Sequence, residues 1–288
     1  LARLGPLINP DVVKWERKMN WARIMVPLSG GHTDEDSLQS GAVIARLFNA
    51  ELSGVYAPPD IADLMPWMGE GFMGGVQISA IDSLREATAL GQAKAKAALE
   101  RVEYSHKSMT SLTSPVWVGL SMEGRLSDLI VYDNGSARGQ GPLAESFQQL
   151  IADEQRPILV ARHGLTGTGS MAIAWDGGKE ATRAVRTALP LLEKASKVVI
   201  LAIPGSAPRP YHPARLQAFL AARGIQADLE VIAGTGEVGS LLLGGAKAAQ
   251  AEILVAGAFG HPRLQEFIFG GTTRSLLHAD GPSLFLSH

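Results

Sequence analysis

The 288-residue sequence contains no cysteine. That absence rules out a disulfide framework, a cysteine-based zinc site and a thiol nucleophile, while leaving the compartment open. Charge is scarce and balanced: 26 basic residues against 28 acidic ones give a formal net charge of −2. Nucleic-acid binders carry a basic excess and disordered tails a block of one sign, so the balance argues against both. No stretch approaches 18 uninterrupted apolar residues, and the N-terminal residues lack the order of a secretory signal. The expectation is a soluble cytoplasmic protein with neither nucleic acid nor membrane as partner.

Catalytic and metal-binding signatures are missing too. The histidines (His32, His106, His163, His212, His261, His278, His288) form no H-x-x-x-H or H-E-x-x-H pattern, so no metal site is expected. There is no G-x-S-x-G elbow, and no residue is assigned a catalytic role.

What the chain does have is an internal repeat and 32 glycines. Residues 23–31, RIMVPLSGG, are an apolar run ending in a glycine turn, and SMAIAWDGG (170–178) repeats it 147 residues later. Each is followed by an amphipathic helical pattern (34–51 and 179–195) and a second apolar run (52–57 and 197–203). The ends match as well: SDLIVYD then RPILVAR in one copy, AEILVAGA then GPSLFLS in the other. At roughly 100–200 residues per domain, two domains fit the length. The expected division is 20–163 and 167–288, joined by GLTGTGS (164–170). Residues 1–19, broken by Pro6 and Pro10 and ending on a natural initiator, Met19, read as a leader or an artificial extension.

Strand runs alternating with helical runs predict an α/β fold: two open, Rossmann-like parallel sheets with helices on both faces. The runs are continuously apolar, as strands covered on both faces should be. In such sheets ligands bind beyond the carboxyl ends of the strands, where strand order reverses. That points to Asp176-Gly177-Gly178 and to 257–273. In the first copy a helix is predicted near 79–107. Two departures mark this copy. An apolar insertion, 58–77, precedes that helix, and at 116–133 only about seven residues separate two predicted strands, cutting a crossover to a turn.

After the strand at 252–257 come Gly257, Gly260, Gly270, Gly271, Thr272 and Thr273. Neither a P-loop nor a dinucleotide fingerprint is present. The elements for phosphate are: glycines admit a ligand to the backbone, and a helix start offers free amides. The ordered set IMVPLSGG, AIAWDGGKEATRAVRTALPLL and AEILVAGAFGHPRLQEFIFGGTTRSLLHADGPSLFLSH resembles the universal stress protein family (UspA-like) in its tandem two-domain bacterial form, over essentially residues 20–288. The resemblance implies a G-x2-G-x9-G-[S/T] nucleotide loop, matched by Gly257, Gly260 and Gly270, and an adenosine-side aspartate, matched by Asp176. Gly271 stands where the family has serine or threonine; Thr272, one place later, is the substitute hydroxyl, with Thr273 a further donor. The implied ligand is ATP or another adenine nucleotide, with Mg2+ only if ATP is bound. Each site residue also has a plain structural use, Asp176 as a helix cap above all.

In the first copy Ser29 replaces Asp176, Asp133 stands opposite Gly257, and Ser136 opposite Gly260. A carboxylate there opposes a triphosphate, so this copy reads as degenerate. The leading reading is a stress-associated, nonenzymatic adenine-nucleotide-binding protein with its site in the C-terminal domain. An interaction or scaffold protein without nucleotide is the alternative, and a slow ATP hydrolase a further one. The resemblance also implies a pseudo-dimer of the two domains, and terminal strands such as 156–162 and 283–287 are apolar enough to sit at the shared surface. A homodimer of whole chains and an unidentified protein partner stay open.

Overall fold

Every strand of the first half that contributes to the core is a short apolar run, and each leads into a helix or turn at its carboxyl end. A computed structural model describes residues 20–59, 75–113, 115–162, 164–203, 211–258 and 271–288, with 75–80 as backbone only. The first half runs β1 (Arg23–Leu28), α1 (Asp34–Phe48), β2 (Glu51–Tyr56), α2 (Gly75–Glu100), β3 (Lys107–Ser111), α3 (Val116–Arg125), β4 (Leu129–Asp133), α4 (Asn134–Ala137), α5 (Ala144–Ala152) and β5 (Ile158–Ala161). The second runs β6 (Ser170–Trp175), α6 (Lys179–Leu192), β7 (Lys197–Ala202), α7 (Pro213–Ala221), β8 (Ala227–Val231), α8 (Val238–Ala248), β9 (Ile253–Gly257), α9 (Gly271–His278) and β10 (Ser283–Ser287).

The strands form one ten-stranded sheet in the order β3-β2-β1-β4-β5-β10-β9-β6-β7-β8. Each half therefore has the same strand order, and the halves meet edge to edge. Pairing is parallel within each half, but β5 and β10 pair antiparallel, with Leu159 opposite Phe285. The expected pair of separate parallel sheets is thus a single mixed sheet. An edge strand left bare would be a hazard, and each half covers the other's.

The core divides by face rather than by half. Ile24, Val26, Leu129, Ile253, Val255 and Phe285 lie in one buried cluster; Met25, Ile130, Leu254, Leu284 and Leu286 lie in the other. Alternation along each strand sends successive side chains to opposite faces. Trp21 ties the joint: its ring stacks on Phe285 at 6.2 Å and leans on Phe48 at 4.7 Å.

The shortened crossover expected at 116–133 is overturned. Residues 116–125 form helix α3, not a strand. The β-branched and aromatic start, VWV, imitates a strand, but the buried positions Val116, Leu120 and Gly124 recur every four residues. Trp117, between them, is exposed. The true third strand is KSMTS, a half-exposed edge strand with no apolar run to announce it. The helix expected near 79–107 also starts earlier, at Gly75, and stops at Glu100. Lys107 ends it, donating from Nζ to the carbonyls of Leu99 (2.9 Å) and Val102 (2.6 Å). Most of the insertion, 60–74, and all of residues 1–19 lie outside the described residues.

The glycine-rich connection between the halves is pinned. The Glu252 carboxylate accepts from the amides of Thr166, Gly167 (2.7 Å) and Gly169 (2.8 Å), and from the Thr166 hydroxyl (2.8 Å). Among the described residues no helix is long and apolar enough to cross a membrane.

Candidate functional site

Both halves open at the same place. β6 pairs with β9 only as far as Ile173 opposite Val255, while β6 stays with β7 through Trp175 and β9 stays with β10 through Gly257. In the first half β1 leaves β4 after Met25 opposite Ile130, although β1–β2 and β4–β5 pair to their ends. Each parting lies where strand order reverses, the position at which open α/β sheets take their ligands.

In the second crevice Gly257 ends β9 against the first turn of α6. A Cβ at Gly257 would lie 2.6 Å from both the amide nitrogen of Ala181 and the carbonyl carbon of Glu180. Only glycine lets that helix approach. Asp176 is exposed at the opposite lip, and its carboxylate accepts from the Gly178 amide at 2.7 Å, ordering the turn before α6, while the helix itself carries no side-chain cap. Trp175 is core, donating from its indole to the Tyr211 carbonyl at 2.9 Å.

Helix α9 supplies the far wall. Gly271 is its first described residue, exposed, and no atom of the described residues lies within 4 Å of a Cβ built on it. Thr272 is half-buried and Thr273 buried. Gly260 and Gly270 lie outside the described residues, as does the rest of 259–270.

A neighbouring residue with no sequence motif matters here. Glu237 caps α8, accepting from the amides of Gly239 (3.0 Å) and Ser240 (2.8 Å), and also from the Ser275 hydroxyl of α9 (2.8 Å). Burial acts against its charge, but the hydrogen bonds from Ser275, Gly239 and Ser240 outweigh it and hold the carboxyl below its usual range. The only hint was an acidic residue directly before the run VGSLLL.

The first crevice is filled differently. Six residues past the end of β1 stands Asp34, where the second half has Ala181 six past β6. Asp34 is buried, accepting from the amides of Ser29 (3.0 Å) and Gly30 (2.8 Å). Burial raises its carboxyl above the usual range, with the Asp133 charge adding to the effect. Asp133 itself caps α4, accepting from the Ser136 amide (2.9 Å) and hydroxyl (2.5 Å). A Cβ at Gly30 would lie 2.5 Å from the Cα of Gly91, so α2 presses on the turn after β1. Two carboxylates and a helix thus occupy this parting.

A cavity of about 700 Å³ lies at the joint beside the first crevice rather than over the second, lined among others by Ser37, Ser40, Asp133, Arg162 and Asp280. Among the described residues no cluster of three or more histidine or carboxylate side chains is placed to hold a metal.

No protein-family profile matches the sequence, and neither does any curated protein. Solved structures do. The chain is similar to a universal stress protein from Archaeoglobus fulgidus DSM 4304 at 14 % identity, covering 92 % of this chain and 95 % of that one, with a TM-score of 0.60. It is similar at 15 % identity and a TM-score of 0.53 to a Pseudomonas aeruginosa UCBPP-PA14 protein assigned to the same family, covering 93 % of each chain. A functionally unknown protein from Pseudomonas aeruginosa PAO1 matches at the same identity and TM-score, over 93 % of this chain and 92 % of that one. Identities this low establish a shared fold, and the fold is that of the universal stress proteins.

Proposed function

We propose that the chain is a tandem pair of universal stress protein-like domains, 20–163 and 167–288, whose second domain binds an adenine nucleotide without turning it over. The supporting observation is the parting of β6 and β9 where strand order reverses, with Thr272 and Thr273 on the first described turn of the helix that follows β9. Amides at a helix start favour an anion.

The residues present fit such a ligand. Thr272, Thr273 and the first amides of α9 face the phosphates; Asp176, already ordered by Gly178, is left one free carboxylate oxygen for a ribose hydroxyl. Mg2+ arrives only with a triphosphate, since the described residues offer no cluster to hold it alone. The first domain has no such site, its parting being taken by Asp34 and Asp133. It acts instead as the other half of an intramolecular pseudo-dimer sealed by β5 and β10. Occupancy then governs partner choice or assembly.

One observation favours a second reading, an interaction protein. Trp117, Met122 and Leu126 on or just after α3 are 58 %, 62 % and 79 % exposed. Calorimetric titration with ATP, ADP and AMP decides between the two. Saturable binding supports the nucleotide reading, and no heat at millimolar nucleotide overturns it.

A further inference from the structure

The helix that opens the proposed nucleotide site at its first turn is held at its last turn by the other half of the chain. The final carbonyls of any helix lack partners within it. In α9 two arginines of the first half supply them. Arg162, just past β5, donates from Nη2 to the carbonyls of Leu276 (2.9 Å) and Leu277 (3.3 Å) and from Nη1 to that of Pro282 (2.9 Å). Its Nε donates to the Asn134 side chain at 3.3 Å. Arg138, just past α4, donates from Nε to the Leu277 carbonyl (2.8 Å) and from Nη2 to the Ala279 carbonyl (3.2 Å) and the Asp280 carboxylate (3.3 Å).

Two like charges are forced together by this arrangement. Burial lowers the Arg162 guanidinium's proton affinity, and the Arg138 charge lowers it further. The pair is tolerated because both face the negative end of a helix dipole.

A helix of eight residues is marginal alone. Besides the burial of Leu276 and Leu277 in the core, two polar attachments hold α9: the Glu237–Ser275 bond from α8, and the arginines at its end. We infer that Arg138 and Arg162 are positioning residues through which the first half, without a working site of its own, sets the nucleotide affinity of the second. The inference rests on the reading that α9 opens the nucleotide site. Where α9 is frayed, a ligand must first reorder it, and apparent affinity falls by the fraction of molecules already ordered. The coupling is reciprocal, so bound nucleotide protects the C-terminal amides of α9 as well as the N-terminal ones.

The test uses the full chain with Arg138→Gln, Arg162→Gln, both together, and the double lysine variant. Hydrogen exchange over 271–279 is read without nucleotide, and ATP affinity by calorimetry. The double glutamine variant is expected to exchange faster at 275–279 with the β7 and β2 strands unchanged, and to bind ATP roughly tenfold more weakly. Lysine, keeping the charge but losing the fork, recovers part of both effects. Arg138→Gln, removing the more peripheral arginine, gives a smaller shift in the same direction and serves if the double variant does not fold. Unchanged exchange overturns the clamp. Faster exchange with unchanged ATP affinity overturns the coupling while leaving the clamp and the nucleotide reading standing. If the unaltered protein binds no ATP, the nucleotide reading fails and the coupling with it, whatever the exchange shows.

Discussion

Gly257 and Ala181 stand so close that a Cβ added to the glycine would lie 2.6 Å from the alanine's amide nitrogen. The end of β9 and the start of α6 are thereby locked together at the mouth of the second crevice. Backbone cannot swing aside as a side chain does. Gly257→Ala is expected to cost about 1–3 kcal/mol, the range for overpacking a tight site. Gly271→Ala, whose Cβ meets no atom of the described residues within 4 Å, should be neutral or stabilise by up to about 1 kcal/mol. Urea unfolding of the two variants checks the contrast, and equal losses would contradict it.

At the same two places the first half carries Asp34 and Asp133, and a pH dependence follows. The Asp34 carboxyl is raised in the fold by burial and by Asp133. A group raised on folding favours the folded state most below its unfolded value, about 3.9 for aspartate. That contribution is lost as pH rises through the higher folded value. Asp34→Asn, which keeps an acceptor for one of the two amides, should therefore raise the melting temperature more at pH 7 than at pH 4. A larger gain at pH 4 would reverse the assignment of sign.

Helix α3 offers a direct test of its periodicity. Leu120 is 2 % exposed and Trp117 58 %. Leu120→Ala should lose about 2–5 kcal/mol, as buried leucines do. Trp117→Ala should change stability by less than about 0.5 kcal/mol. Had 116–125 been a strand, Trp117 and Leu120 would lie on opposite sheet faces and Val116 and Leu120 on one, so Val118→Ala would cost as much as Leu120→Ala. Chemical denaturation of the three variants separates the patterns.

The Glu252 carboxylate holds the connection between the halves by backbone amides alone and the Thr166 hydroxyl. Glu252→Gln removes the charge and one acceptor oxygen. Limited proteolysis should then cut near 164–169 several-fold faster than in the unaltered chain. An unchanged cleavage rate would mean that the connection is held by its flanking strands instead.

How much of this was legible beforehand follows from which residues carry the signal. β1, β6, β7, β9 and β10 are buried on both faces, so their apolar runs and the glycine turns after them could be read directly. β3 could not, because an edge strand written KSMTS has no apolar pattern, and VWVGL borrowed the look of a strand from one exposed tryptophan. The family-like spacing Gly257, Gly260, Gly270 located the candidate loop. The contacts that give the site its shape are non-local: Gly257 on Ala181, Glu237 on Ser275, Arg162 on Leu276. No spacing within one segment encodes them. Asp34 was hidden for another reason, since an acidic first helical turn reads as an ordinary cap until burial is known.

The central claim, one nucleotide site in the second half and none in the first, is tested most directly by calorimetric stoichiometry. The unaltered chain, Asp176→Ala and the equivalent first-half change Ser29→Ala are each titrated with ATP. The account predicts one nucleotide per chain, clearly weaker binding in Asp176→Ala, and no change in Ser29→Ala. Two nucleotides per chain, or equal weakening by both substitutions, would contradict it.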